Sequence, residues 1–103
     1  MYTRQELANQ IIPLLETFPV KRSAMFGSYA RNEQTPESDI DLLLDLDVDK
    51  THPFIDYVYD LLSLIESKVK LSVDFITVNS LKDNPSVSFK EKIDQESWWF
   101  YEV

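Results

Sequence analysis

Cysteine is absent from this chain, which excludes a disulfide framework and any thiolate metal site and suits a reducing cytoplasm, the expected location. Glycine occurs only once, at Gly27. Basic residues are scarce: 10 Lys and Arg against 18 Asp and Glu leave a net charge of −8, without the clusters that neutralise nucleic-acid phosphates. Stable binding of long nucleic acid is therefore not expected. Long apolar runs are missing too. The uninterrupted ones are a few residues against the ~20 that cross a bilayer, so the sequence reads as a soluble protein without a membrane partner. No signal-peptide pattern opens the chain, and no internal repeat or low-complexity tract interrupts it.

What is present suffices for a real core: 44% of the 103 residues are apolar and 13% aromatic, enough for one small domain over residues 1–103. Thr3-Arg4-Gln5-Glu6 reads as a capping box, after which Leu7, Ile11, Leu14, Leu15 and Phe18 share one face of a helix over residues 3–18, kinked at Pro13. Residues 20–26 read as a strand, and residues 28–33 as a short helix opened by Ser28. Over residues 39–46, Ile40, Leu42, Leu44 and Leu46 alternate with Asp39, Asp41 and Asp45, interrupted only by Leu43. That pattern predicts a strand with one buried face and one chemical face. Thr51 and Pro53 open a second long helix with Phe54, Val58, Leu61, Leu62, Ile65 and Val69 as its core stripe. Residues 71–78 follow as a third strand with Asp74 at its centre, and Ser88 to Glu91 offers a capping box for a last helix around Phe89 and Ile93. The order of elements predicts an α/β (α+β) two-layer domain, a small mixed sheet with flanking helices.

Two clusters carry chemistry. Asp39 and Asp41 are two apart on a strand, so both carboxylates leave the same face and can grip one or two hard cations, with Asp74 on the next strand completing the set. Three carboxylates without a neighbouring imidazole favour Mg²⁺ or Mn²⁺ over zinc, and they resist joint ionisation unless a cation sits among them. Two such ions ~3.5–4 Å apart stabilise the attacking and leaving oxygens of phosphoryl or nucleotidyl transfer. The second cluster precedes the first by ten residues. Ser28 stands where a helix begins and favours an anion, Gly27 lets a ligand approach the backbone, and Arg31, one turn on, can clamp a phosphate oxygen. Taken singly, Gly-Ser before a helix is ordinary turn-and-cap chemistry and Asp-x-Asp is ordinary wet sheet surface; in this order they converge on a metal and a phosphate.

Gly27-Ser28, ten residues, Asp39-x-Asp41 and a later strand aspartate, Asp74, resemble the signature of the DNA polymerase β-like nucleotidyltransferase superfamily. The wording Gly-Ser-Tyr-Ala-Arg and Ser-Asp-Ile-Asp-Leu is similar to its minimal nucleotidyltransferase (MNT) group, and the likeness covers essentially the whole chain, a polymerase β-like palm without a helical acceptor domain. The resemblance implies that Asp39 and Asp41 bind two Mg²⁺ ions, that Asp74 binds the catalytic one and helps activate the acceptor hydroxyl, and that Gly27 and Ser28 hold the β- and γ-phosphates. It also implies ATP or another nucleoside triphosphate as donor, AMP transferred to a tyrosine of a HEPN-domain ribonuclease toxin, and an antitoxin role for this chain. One position departs from the group: Asn32 stands where glycine is usual, and asparagine is the next most tolerant residue of the left-handed conformation.

Two other classes of function fit the same residues: a module that neutralises its partner by contact alone, and a nucleotidyltransferase acting on a small molecule. Crowded acids argue against the first, because a purely structural partner has no physical need of them. The missing acceptor domain argues against the second. Trp98-Trp99-Phe100-Tyr101 has no polar side, which predicts a last strand or tail packed on the helices ahead of a partner-binding patch. His52, beside Pro53, reads as a surface or capping residue, and Lys21 and Arg22 as solvent-facing cations within possible reach of a phosphate.

Overall fold

Thr3 opens the first helix of the computed structural model as its sequence predicts: its hydroxyl accepts from the Glu6 amide at 3.1 Å, and the Glu6 carboxylate accepts from the Thr3 amide at 2.9 Å. The structure describes residues 1–47 and 54–103, residues 54 and 55 by their backbone alone. Helix α1 spans Arg4–Leu15 and not residues 3–18. Pro13 lies in its last turn, and the Thr17 hydroxyl then takes the Leu14 carbonyl at 2.8 Å, so the chain turns before Phe18. Phe18 still packs against the core, from the turn instead of the helix.

Strand β1, Val20–Phe26, matches its expected bounds. Helix α2 is Gly27–Ala30, starting one residue before and ending three residues before the expected Ser28–Glu33, with Phe26 at its N-cap, so Ser28 is its second residue and not its cap. Strand β2, Ile40–Leu46, begins one residue after Asp39. Helix α3, Phe54–Val69, buries Val58, Leu61, Leu62, Ile65 and Val69, as its stripe predicts. Its expected opening at Thr51 and Pro53, the role of His52 and the Phe54 side chain lie outside the described residues. Strand β3 is Val73–Thr77, shorter than expected, which places Asp74 second in the strand instead of at its centre. Val78 begins α4, Val78–Lys82, capped by the Thr77 hydroxyl on the Ser80 amide at 3.0 Å, a helix the sequence pattern did not reveal. Helix α5, Val87–Glu96, is capped by Ser86 on the Phe89 amide, so the Ser88 to Glu91 box falls inside the helix. The aromatic tail is strand β4, Trp98–Glu102.

The four strands form one mixed sheet in the order β3-β2-β1-β4. β1 pairs antiparallel with β2 and β4, while β2 and β3 pair in parallel, joined through α3 as a parallel pair requires. Ile40, Leu42 and Leu44 point from β2 into the main core, where they meet Leu7, Ile11 and Leu15 of α1 and Val58, Leu61 and Ile65 of α3. Leu43, the break in the alternation, is buried on the opposite face with Ala24, Leu81 and Ile93, which seats α4 and α5 there. Aspartates on either side of Leu43 therefore share a sheet face with a small apolar cluster, and that face carries the site.

Candidate active site

The chemical face is assembled by strand register. Phe26, the last residue of β1, is opposite Asp41 of β2, and Asp41 is in turn opposite Asp74 of β3. Paired residues project from the same side of a sheet, so the β1-to-α2 turn and two of the three expected aspartates converge. Asp39 joins them from the turn before β2; it and Asp74 are exposed, while Asp41 is half-buried. Burial, reinforced by the charges of Asp74, Asp39 and Glu96 and offset by Arg31, pushes the Asp41 carboxyl up to about 6.

Gly27 has φ +74°, and a Cβ built on it would collide with Asp41 Oδ2 and lie 3.1 Å from Asp41 Cγ. Only glycine combines that backbone conformation with that proximity, which explains where the chain uses its single one. The turn and the acid pair are thus one site. Ser28 follows, half-buried, its hydroxyl without a hydrogen bond to any described residue. Tyr29 points the other way, into the main core, and anchors the short helix; burial, with a smaller contribution from Tyr2, raises its phenol above the ordinary value. Beyond Ala30 the chain turns through Asn32 at φ 58°, in the left-handed conformation asparagine tolerates.

Arg31 is placed less simply than its spacing suggests. Its Nε donates to Glu33 Oε1 at 2.8 Å and its Nη1 to Glu96 Oε2 at 3.0 Å, so the guanidinium already serves two carboxylates. Glu96 Oε1 in turn accepts from the Gly27 amide at 2.8 Å. At the other end of α2, Arg4 donates to the Ala30 carbonyl at 2.7 Å while stacking over Trp98. Glu96 and Arg4 were not apparent as site residues from sequence. The available signal was weak: a carboxylate in the last turn of α5, where the helix dipole disfavours it. Arg22 is half-buried instead of free, paired with Asp45 at 3.0 Å and lying over the Trp99 ring.

A hard cation fits the chemistry of this face: oxygen donors only, two of them in register, and one carboxylate that burial and its acidic neighbours make costly to ionise without positive charge beside it. The donors are open, not caged. Among the described residues no three carboxylates or imidazoles already stand close enough to hold an ion, so Asp39, Asp41 and Asp74 would have to close around one.

Residues 9–97 match the nucleotidyltransferase domain family. The chain belongs to that family. This nucleotidyltransferase is 41% identical over 83 residues to a candidate protein adenylyltransferase of Methanocaldococcus jannaschii, covering 81% of the chain and 79% of the relative. Among solved structures it is similar to a chain of a toxin–antitoxin crystal structure with AMP-PNP, with a TM-score of 0.70 at 22% identity over 93% of this chain and 73% of that one. It is also similar to a chain of a complex of a tri-AMPylated Shewanella oneidensis HEPN toxin with an MNT antitoxin, with a TM-score of 0.66 at 20% identity, covering 98% and 74%. The structural matches carry the fold; the family match and the sequence relative carry nucleotidyl transfer.

Proposed function

We propose that this nucleotidyltransferase moves AMP from ATP to a hydroxyl of a partner protein in a Mg²⁺-dependent reaction, and that it acts in the cytoplasm as the antitoxin of a HEPN-domain toxin. The observation that carries the proposal is the meeting of Gly27 and Asp41, which joins a glycine-serine turn suited to phosphate with the acidic face suited to a metal. The candidate protein adenylyltransferase from Methanocaldococcus jannaschii supports AMP as the group transferred. The neighbouring toxin–antitoxin complexes, one of them with a tri-AMPylated toxin, support the partner.

Asp39, Asp41 and Asp74 would hold Mg²⁺, or Mn²⁺, in one or two positions, where bound cations neutralise charge on the phosphates. Ser28 donates its hydroxyl to the β- or γ-phosphate, and Gly27 leaves the backbone open to it. Asp74, exposed on β3, accepts the proton of the incoming acceptor hydroxyl. The acceptor oxygen bonds to the α-phosphorus, the bond from that phosphorus to the β-phosphate oxygen breaks, and pyrophosphate leaves. A cation held there would offset the burial and the neighbouring charges that raise the Asp41 carboxyl, and would favour its ionised form.

Co-expression with a HEPN-domain protein tests the proposal by intact mass. A mass increase of one or more AMP units on the partner, absent when Asp41 is Asn, is the expected result; an unmodified partner that is nevertheless silenced contradicts it. The open donor set favours one second reading, neutralisation by contact alone, and that outcome is its signature.

A further inference from the structure

We infer that Glu96 is a positioning residue for the phosphate cradle, acting through Gly27 and Arg31. The inference rests on the nucleotidyl-transfer reading above. Glu96 is the last residue of α5, and its side chain is only 11% exposed. Its two carboxylate oxygens are divided: Oε1 takes the Gly27 amide at 2.8 Å and Oε2 takes Arg31 Nη1 at 3.0 Å.

Holding the Gly27 N–H fixes the peptide plane between Phe26 and Gly27, and with it the left-handed turn that places Ser28. An amide at the start of a helix has no intrahelical acceptor, and without Glu96 it would be free to reorient. The other end of α2 is tied by Arg4 to the Ala30 carbonyl, so Glu96 and Arg4 clamp a four-residue helix that is too short to hold its own geometry. A carboxylate is an odd choice so near three aspartates and a triphosphate. Arg31 eases the conflict: its positive charge offsets part of that of Glu96 beside the acids.

Arg31 therefore serves the cradle from behind and is not the phosphate clamp its spacing suggests. Its remaining contact, Nε to Glu33 Oε1, turns the guanidinium further toward protein carboxylates. The dipole of α5 disfavours an acid at its C-terminal end, so the position is not explained by the stability of that helix.

Direct titration of the full chain with a fluorescent, non-hydrolysable ATP analogue and Mg²⁺ tests the inference, at a temperature below every variant's melting transition. Glu96→Ala is expected to weaken binding by about tenfold, the scale typical of residues that orient a site from outside it. Glu96→Gln, which keeps an oxygen for the Gly27 amide and preserves the packing, should fall between the two. Glu96→Ala/Arg31→Ala should bind no worse than Glu96→Ala alone, because both changes remove one device. Binding by Glu96→Ala that equals the wild type, or binding by Glu96→Gln weaker than that of Glu96→Ala, overturns the inference and leaves the proposed function standing. Losses that multiply in the double variant also overturn it, returning Arg31 to the phosphate. A wild type that binds no Mg²⁺-nucleotide overturns both.

Discussion

Asp41 on β2 and Asp74 on β3 are direct partners in a parallel strand pair, so their carboxylates leave one face of the sheet side by side although a whole helix separates them in the chain. The pairing concentrates negative charge, and this repulsion adds to burial in pushing the Asp41 carboxyl up to about 6.

The first prediction follows from the sign of that shift. Its ordinary value is 3.8, so between there and about 6 the folded chain binds the Asp41 proton more tightly than the unfolded chain does. The contribution favours folding fully below 3.8 and is lost as pH rises through about 6. Asp41→Asn removes a group that is ionised at a cost near neutral pH, so it should melt higher than the wild type there, with the gap closing as pH falls toward 3.8. The same variant should lose transfer. A lower melting temperature for Asp41→Asn near neutral pH would contradict the electrostatic account.

Metal should act on the same group. Saturating Mg²⁺ is expected to raise the melting temperature of the wild type near neutral pH, because an ion that binds only the folded state stabilises it. Asp41→Asn should show little of that rise. Equal melting curves for the wild type in Mg²⁺ and in chelator would remove these aspartates as metal ligands.

Gly27→Ala separates site geometry from stability. The added Cβ lands on the Asp41 carboxylate, and Gly27 has φ +74°, so the side chain or the turn must move. Transfer is expected to fall by at least about a hundredfold, the cost of misplacing reacting groups by an ångström. Circular dichroism should still report a folded chain, since the main core lies on the other face. Full activity in Gly27→Ala would mean that the close approach to Asp41 is not used.

Leu42→Ala makes the converse test. Leu42 is fully buried between α1 and α3, and truncating it should cost on the order of 2–5 kcal/mol in denaturant unfolding while the folded fraction keeps its chemistry. Loss of transfer without loss of stability would mean that the two faces of β2 are not independent.

The parts of this account legible in the sequence are the local ones. The Thr3–Glu6 capping box, the β2 alternation and the α3 stripe depend on neighbours within a turn or a strand, and Asn32 at φ 58° is a single-residue conformational need. Helix α4 was not legible because five residues, Val78–Lys82, are too few to separate a period of 3.6 from a period of 2. Leu43 looked like a fault in a strand until α4 and α5 supplied the second apolar cluster that buries it. At the site, Gly27, Ser28 and the aspartates could be read from spacing, whereas Glu96 joins Gly27 from 69 residues away, across contacts no local pattern encodes.

The most direct test of nucleotidyl transfer to a partner is incubation of the purified protein and Mg²⁺ with ATP labelled at the α-phosphate, in lysate from its own source. A parallel reaction carries the label at the γ-phosphate, and a control carries Asp39→Asn/Asp41→Asn. The account predicts a discrete labelled protein band with the α-label only, absent from the control. No band with the α-label, from a protein that binds Mg²⁺·ATP, or a band that persists in the control, would contradict it.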